Sequence, residues 1–461
     1  MSTAFTSIDL HPDLLRNIDS LGFEEMMPIQ AASLPPILSG KDVIAQSKTG
    51  SGKTVAFGLG LLQKINTQDR RVQALVLCPT RELADQVSKV LRQLARTLPN
   101  IKLLTLCGGM PSRAQVTSLS HGAHIVVGTP GRIAKHLRTE NLNVEALQTL
   151  VLDEGDRMLE MGFQDELDTI INTLPKPRQT LLFSATYPDT IRHIAERVMT
   201  QPIMVKVEST HDETSIQQHF YKVGTIDERL IAVRLLLLQH RPESAVIFCN
   251  TKKDCMAVTD KLIEQGFSAL DLHGDLEQND RDETLIRFAN KSLSILVSTD
   301  VAARGLDIDS LDVVINFHLA HDAEMHVHRI GRTGRAGSKG IACSLFSDKE
   351  AYKVARLEEY LGQSIEGEPL PNSELLSTSP MSPTMTTLKI NAGRKQKLRP
   401  GNILGALTGE DGIEGSKVGK IHINDKSSYV AVSNSILKPA MDKLSQEKWK
   451  SRPLKGWLLE D

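Results

Sequence analysis

Two short stretches carry side chains whose types and spacing could do chemistry. The first is AQSKTGSGKT (45–54), directly after an apolar run. Gly50 and Gly52 let the backbone curl so that successive N–H groups around Ser47, Lys48, Thr49 and Ser51 face a phosphate, and a helix starting near Lys53 adds its positive end. Lys53 suits the outer phosphates and Thr54 suits Mg²⁺. Ser47 stands where the usual phosphate-loop pattern has its first glycine, so the strict pattern is not met. The second stretch is VLDEGDRMLEMGF (151–163), which sets Asp153, Glu154 and Asp156 at the tip of an apolar run with Gly155 among them. Beside a phosphate loop, Asp153 suits Mg²⁺ through its water shell and Glu154 suits the positioning of an attacking water. Together the two stretches point to nucleotide hydrolysis.

Such residues need strand ends to hold them. Runs rich in Val, Leu and Ile recur at 42–45, 74–78, 103–107, 124–128, 149–153 and 180–184, and again at 245–249, 269–273, 294–298, 313–317 and 341–346. Their apolar character is continuous rather than alternating. That predicts strands buried on both faces, hence parallel sheets covered by helices. The polar stretch 207–218 reads as a linker between two α/β domains, 1–206 and 219–366, each of ordinary domain size.

At 461 residues the chain is too long for one ordinary core. Its formal net charge of −2 gives no global argument for a nucleic-acid partner. The charge is uneven, however: from Met381 onward 14 Lys/Arg face 8 Asp/Glu, which makes the tail basic relative to the rest. The five cysteines form no CxxC pair and read as buried thiols. No run of about 18 apolar residues and no leader-like N-terminus occurs, which predicts a soluble cytoplasmic protein with no membrane partner.

Beyond residue 366 the composition changes. Residues 367–384 are rich in Pro and Ser and read as a second linker. Residues 385–461 can be drawn as strand, helix, strand, strand, helix, strand, the order of the RNA-recognition motif. The central strand SSYVAVS offers Tyr429 but few stacking partners, so the sheet makes a poor base platform. GRKQKLRP (393–400), with Arg394, Lys395, Lys397 and Arg399, is the better RNA contact.

Ordered motifs then carry a resemblance over almost the whole chain. GFEEMMPIQ (22–30) with Phe5 upstream, PTREL (79–83), GG (108–109), TPGR (129–132), DEGD (153–156), SAT (184–186), VIFCNTK (246–252), QNDR (278–281), STDVAARGLD (298–307) and HRIGRTGR (328–335) resemble the motif set of DEAD-box RNA helicases. GNILGALTGEDGI (401–413) resembles the DbpA group of that family, whose C-terminal module recognises 23S ribosomal RNA. The resemblance implies two tandem RecA-like parallel-sheet domains followed by a small RRM-like α+β domain.

It also implies roles. Gln30 would read adenine, Phe5 and Phe23 would support the base, and Asp307 would take a ribose hydroxyl. Arg332 and Arg335 would be arginine fingers, whose planar forks spread charge over phosphate oxygens. Hydrolysis would then require the two domains to close. Asp156, Ser184, Thr186 and His328 would couple the domains. Arg81, Gly109, Thr129, Gly131 and Arg132 in the first domain, and Gln278, Arg281 and Thr299 in the second, would contact the RNA backbone, which carries no sequence code. Position 155 is alanine in the family. The glycine here is expected to leave the chemistry intact while loosening the backbone by up to about 1 kcal/mol.

The implied protein is a monomeric ATP- and Mg²⁺-dependent enzyme that unwinds short RNA duplexes, directed to 23S rRNA in pre-50S particles. An ATP-gated clamp that holds RNA without unwinding is the alternative, and a DNA helicase is disfavoured by the Gln30 motif and the tail.

Overall fold

Continuous apolar runs form strands at the predicted places, and their alternate residues serve two different cores. The computed structural model describes residues 3–47, 50–109, 111–207, 216–303, 311–334, 340–409, 412–446, 448–449, 452–453 and 456–459. The chain divides into two units near residue 211.

The first unit is built on seven parallel strands: β1 (Val43–Gln46), β2 (Ala74–Leu77), β3 (Leu103–Leu106), β4 (Ile125–Gly128), β5 (Thr149–Asp153), β6 (Gln179–Ser184) and β7 (Ile203–Lys206). Their order is β3-β4-β2-β5-β6-β1-β7. Val43, Ala45, Val76, Val127, Val151, Leu181 and Phe183 enter one core; Ile44, Leu75, Leu77, Val126, Leu150, Leu152 and Leu182 enter the other. Period-two side-chain alternation thus feeds helices on both faces. Those helices start on clear signals. Thr80 accepts from Leu83 N–H ahead of Arg81–Leu94, and Pro130 opens Pro130–Arg138. The expected strands stop at β6, and β7 is an addition: its exposed IMVK pattern belongs to an edge strand.

In the second unit, six parallel strands run in the order β10-β11-β9-β12-β13-β8. They are β8 (Ile216–Lys222), β9 (Ala245–Cys249), β10 (Ala269–Leu272), β11 (Ile295–Thr299), β12 (Val313–Asn316) and β13 (Gly340–Phe346). β8 begins inside the stretch read as a linker, so Ile216, Gln217 and Gln218 belong to the sheet, paired with Gly340, Ile341 and Ala342. The second linker is not free chain either. Leu370, Leu375 and Leu376 pack on the core of the second domain, and Arg234 donates to the Leu376 carbonyl at 2.8 Å.

The tail folds as expected, into an antiparallel sheet ordered β15-β16-β14-β19: β14 (Met385–Ile390), β15 (Val418–Ile423), β16 (Ser428–Ser433) and β19 (Gly456–Leu458). A short extra ladder pairs β17 (Lys448–Trp449) with β18 (Arg452–Pro453). Helices Pro400–Thr408 and Leu437–Gln446 cover one face, where Leu388, Ile390, Ile403, Leu407, Val430, Val432 and Leu444 are buried. The architecture is therefore two RecA-like parallel-sheet domains and a small RRM-like module. All five cysteines are buried and unbridged, and burial pushes the Cys107 thiol up to about 12. Among the described residues, no helix is long and apolar enough to cross a membrane.

Candidate functional site

Strand order decides which motifs meet. β5, β6 and β1 are neighbours, so the carboxyl ends of three strands place DEGD, SAT and the phosphate loop side by side. β3, β4 and β2 fill the other half of the same edge with GG, TPGR and PTREL. Open α/β sheets bind ligands at such carboxyl ends.

The phosphate loop is stitched to its neighbours. Ser47 N–H donates to the Ser184 carbonyl at 3.0 Å, and the Ser47 and Ser51 hydroxyls lie 2.8 Å apart. Gly50 and Gly52 both adopt positive φ, +83° and +86°. A side chain at Gly52 would also strike the Gln30 amide, 2.4 Å from an added Cβ. Lys53 opens the helix Lys53–Lys64, is 7% exposed, and donates to the Ser47 carbonyl at 2.9 Å. Its ammonium is held over the loop. Thr54, one residue on, is partly buried.

The Gln30 amide braces the loop. Its Nε2 donates to the Gly52 carbonyl at 3.1 Å and its Oε1 accepts from Met27 N–H at 2.9 Å. One N–H and one lone pair remain to meet a base edge. The two phenylalanines part company: Phe23 is 41% exposed, whereas Phe5 is buried in the core. The Phe5 ring packs into the core of the first domain, and the Phe23 ring stays open to solvent. Lys48, Thr49, Asp307 and Arg335 lie outside the described residues.

At the end of β5, Asp153 is 3% exposed and Glu154 7% exposed. Burial pushes the Asp153 carboxyl up to about 7; Lys53 opposes this and Glu154 reinforces it. Asp153 Oδ1 and Glu154 Oε2 are buried without a hydrogen-bond partner, and Arg157 Nε lies 4.0 Å from that Glu154 oxygen. Glu154 adopts φ 52°, ψ 53°, a left-handed conformation that a non-glycine residue holds only under constraint. Two orphaned carboxylate oxygens on adjacent residues, with the Lys53 charge acting on Asp153, fit a hard divalent cation and its waters.

Asp156 does different work. Its Oδ2 accepts from the N–H groups of Ala185 (3.2 Å) and Thr186 (2.9 Å) and from the Thr186 hydroxyl (2.9 Å), while the Ser184 hydroxyl accepts from Asp156 N–H at 3.3 Å. Burial alone would raise this carboxyl, but the Thr186 N–H and nearby cations hold it below the ordinary range. The acidic motif and SAT are thus one hydrogen-bonded unit. Gly155 has a packing reason the sequence did not reveal: a Cβ there would lie 2.7 Å from Leu182 Cδ1.

On the other half of the edge, Gly109 has φ 74°, and nothing lies within 4 Å of a Cβ built at Gly131. Thr129 stands at the N-cap position of Pro130–Arg138 without a side-chain capping bond. Arg132 donates to Gln115 Oε1 at 3.0 Å, which also meets buried His136 Nε2 at 2.9 Å. Arg81 begins its helix, and its Nη1 is buried without a hydrogen-bond partner.

In the second domain Gln278 opens the helix Gln278–Ala289, donating to Asp282 Oδ1 at 2.7 Å, and Arg281 donates to the Ala302 carbonyl at 2.7 Å. Thr299 ends β11, and His328 lies in the helix Ala323–Ile330, capped by Asp322. Arg332 follows it, partly buried. Sequence reasoning passed over Arg329, between His328 and Arg332. Its side chain is 1% exposed and grips Asp300 with Nε (2.6 Å) and Nη2 (2.7 Å). It also donates to Asn250 Oδ1 (3.1 Å), Asn316 Oδ1 (3.2 Å) and the His318 carbonyl (2.7 Å), with Phe248 5.2 Å below. This fork ties together the ends of β9, β11 and β12. A signal existed: an arginine at helical spacing from Met325 and next to Ile330, on the helix's buried side.

The basic loop of the tail is exposed at Arg394, Lys395, Lys397 and Arg399. Buried Leu398 anchors it. Gly393 lets it approach the β15–β16 turn, where a Cβ would sit 2.3 Å from the Asn424 carbonyl. Asp425 lies 3.5 Å from Arg394 Nε and 3.8 Å from Lys395 Nζ, so part of the loop's charge is already met.

Comparison with known proteins agrees with this geometry. Residues 27–194 match the DEAD/DEAH box helicase family, 227–337 the helicase conserved C-terminal domain, and 387–456 the DbpA RNA binding domain. The chain is 51% identical to the ATP-dependent RNA helicase DbpA of Escherichia coli K12, over 99% of this chain and 100% of that protein. It is 44% identical to the DEAD-box ATP-dependent RNA helicase CshA of Bacillus cereus over 77% of this chain and 68% of that one. Among solved structures, Saccharomyces cerevisiae Dbp5 L327V bound to RNA and ADP BeF3 matches with a TM-score of 0.73 at 30% identity, covering 81% of this chain and 97% of that chain. With its paired RecA-like domains, its DEGD–SAT unit and its C-terminal RNA binding domain, the chain belongs to the DEAD-box ATP-dependent RNA helicases of the DbpA type.

Proposed function

We propose that this helicase hydrolyses ATP in response to RNA, locally unwinds short duplexes, and is directed by its C-terminal module to 23S ribosomal RNA during assembly of the large ribosomal subunit. The observation that carries the catalytic part is the pair of partnerless oxygens on Asp153 and Glu154 beside the Lys53 ammonium. Lys53 meets the outer phosphates of ATP, and Glu154 holds and polarises the attacking water. Thr54 and Asp153 are the residues that would hold Mg²⁺, which when bound neutralises charge on the phosphate oxygens. Gln30 takes the base with Phe5 and Phe23 as its apolar support, and the loop 47–52 takes the phosphates. Arg332 and Arg335 are assigned as arginine fingers, and Asp307 as the ribose contact. Asp156, Ser184, Thr186 and His328 pass the state of the nucleotide to the rest of the motor.

Arg81, Gly109, Thr129, Gly131, Arg132, Gln278, Arg281 and Thr299 hold RNA through its backbone, so sequence preference falls to the tail, with Arg394, Lys395, Lys397 and Arg399 as contacts. The reading includes a monomeric, cytoplasmic protein. Its test is steady-state ATPase and duplex unwinding with 23S rRNA fragments against unrelated RNA of equal length. Stimulation by 23S fragments no greater than by unrelated RNA overturns the 23S assignment, and none with any RNA overturns the whole reading.

A further inference from the structure

The RRM-like module turns its open sheet face toward the motor. Cross-strand register puts His422, Tyr429, Lys389 and Trp457 in one row across β15, β16, β14 and β19, opposite the face that packs on the module's own helices. The middle of that face is not free. Tyr429 is 3% exposed, Thr387 3% and Ala431 1%, whereas Trp457 on the edge strand is 41% exposed.

What covers the middle is the helix Gln278–Ala289 and the turn after it. Tyr429 Oη donates to Glu283 Oε1 at 2.8 Å, and Lys389 Nζ pairs with the same oxygen. Lys389 Nζ lies 5.8 Å from the centre of the Tyr429 ring. Beyond the helix, Asn290 Nδ2 donates to Thr387 Oγ1 at 3.0 Å, and the Ser292 hydroxyl lies 2.6 Å from the same oxygen. Asn290 and Ser292 are themselves buried. An RRM ordinarily spends this face on stacked bases; here it is spent on the motor.

The same helix begins with Gln278 and Arg281. At 1.5 Å rise per residue, Glu283 stands only about 8 Å along the axis from Gln278. We propose that Glu283 is a positioning residue: by taking both Lys389 and Tyr429 it seats the module's sheet face on the helix whose first turn meets RNA, and so fixes the offset between RNA held by the module and RNA held by the motor. RNA then reaches the module through its loops and its free edge at Trp457, not across the sheet. The inference rests on the RNA contacts assigned under Proposed function to Gln278 and Arg281.

The test uses the full chain with Glu283→Lys, which sets a second ammonium against Lys389, and Glu283→Lys/Lys389→Glu, which restores an opposite-charge pair. Hydrogen exchange without RNA should speed up on the order of tenfold in β14 and β16 of the single variant and return toward the parent value in the double. RNA-stimulated ATPase is then measured on 23S rRNA fragments extended by a short duplex at stepped distances from the fragment. The parent should show a preferred distance. Glu283→Lys should lose that preference while keeping the kcat reached with saturating unstructured RNA, and the double should regain it. Unchanged exchange in Glu283→Lys overturns the seat, and faster exchange with the distance preference intact overturns the positioning role. A parent with no RNA-stimulated ATPase defeats the functional reading instead, and the exchange comparison still judges the seat.

Discussion

Arg329→Gln tests whether the buried fork holds the second domain together. Arginine and Asp300 are both nearly out of water, the side chains being 1% and 12% exposed. Breaking such a pair while leaving its partner in place costs about 3–5 kcal/mol, because the stranded charge keeps its desolvation penalty. The His318 carbonyl and the Asn250 and Asn316 amide oxygens are also deprived of charged donors, each worth about 1 kcal/mol, of which a glutamine amide recovers a part. We therefore expect a loss of roughly 4 kcal/mol, about a quarter to four-fifths of the stability of an ordinary domain. A multidomain chain has no single unfolding free energy, so the readout is native-state hydrogen exchange at the central strands β9 and β12. At 1.4 kcal/mol per decade, those amides should exchange about a thousandfold faster. Arg329→Lys keeps the charge but not the planar fork and should cost less, about 1–3 kcal/mol. Arg329→Gln/Asp300→Asn should be milder than Arg329→Gln alone, since no charge is stranded. Acceleration below about tenfold in Arg329→Gln, or a double variant worse than the single, refutes the reasoning.

Glu154→Gln should retain ATP and RNA binding while steady-state ATP turnover falls at least about a hundredfold, measured by phosphate release. For Gly155→Ala the clash with Leu182 Cδ1 offsets the gain in helix propensity. Stability by hydrogen exchange of β6 should change by no more than about 1 kcal/mol in either direction, and the same substitution in a Leu182→Val background should come out stabilising. The Asp153 carboxyl, raised to about 7 from an ordinary value of 3.8, binds its proton more tightly in the folded state. Its contribution to stability is therefore full below pH 3.8 and disappears as pH rises through about 7. Nucleotide-free protein should lose protection in β5 as pH rises from about 4 to about 7 and level off above that, a trend that Asp153→Asn flattens, and Mg²⁺ binding at pH 6.5 should release protons, seen by calorimetry in buffers of different ionisation heat. Charge reversal at Arg394, Lys395 and Lys397 should weaken binding of 23S fragments and lower the log–log salt slope by about one unit for each phosphate that is no longer neutralised.

Most of the strands were legible because central strands of parallel sheets must be apolar throughout. The same criterion passed over β7 and β8. Both are edge strands, one reading IMVK and the other IQQHFYK, and an edge strand leaves part of its surface to water. The stretch 367–384 looked like free linker because its prolines and serines outnumber its leucines, yet Leu370, Leu375 and Leu376 suffice to dock it. In the site, residue types announced themselves where a motif demands them: Lys53, Asp153 and Glu154. Residues that act by tying elements together did not. Arg329 serves three strand ends, and Glu283 meets residues more than 100 positions away, a pairing that no local pattern encodes. Phe5 stands alone upstream of the Gln30 motif, and its burial in the core of the first domain is a tertiary outcome that no local pattern announces.

The distribution of satisfied and unsatisfied polar groups separates holding from working. Ser47, Gln30, Lys53 and Asp156 each spend hydrogen bonds on neighbouring backbone, so loop, acidic motif and SAT keep their geometry without a ligand. Burying a carboxylate oxygen with no partner is costly in a finished fold, and the first domain tolerates it at Asp153 and Glu154, side by side at one strand end. Glu154 also carries the left-handed backbone that Gly155 or Asp156 could have borne at less cost. Strain and unmet polarity therefore fall on the same residue, and the braced neighbours leave it no cheap way to relax. A phosphate chain with its cation and water would relieve both the charge held back on Asp153 and the open valence on Glu154, which makes nucleotide binding itself the event that completes the polar core of the first domain.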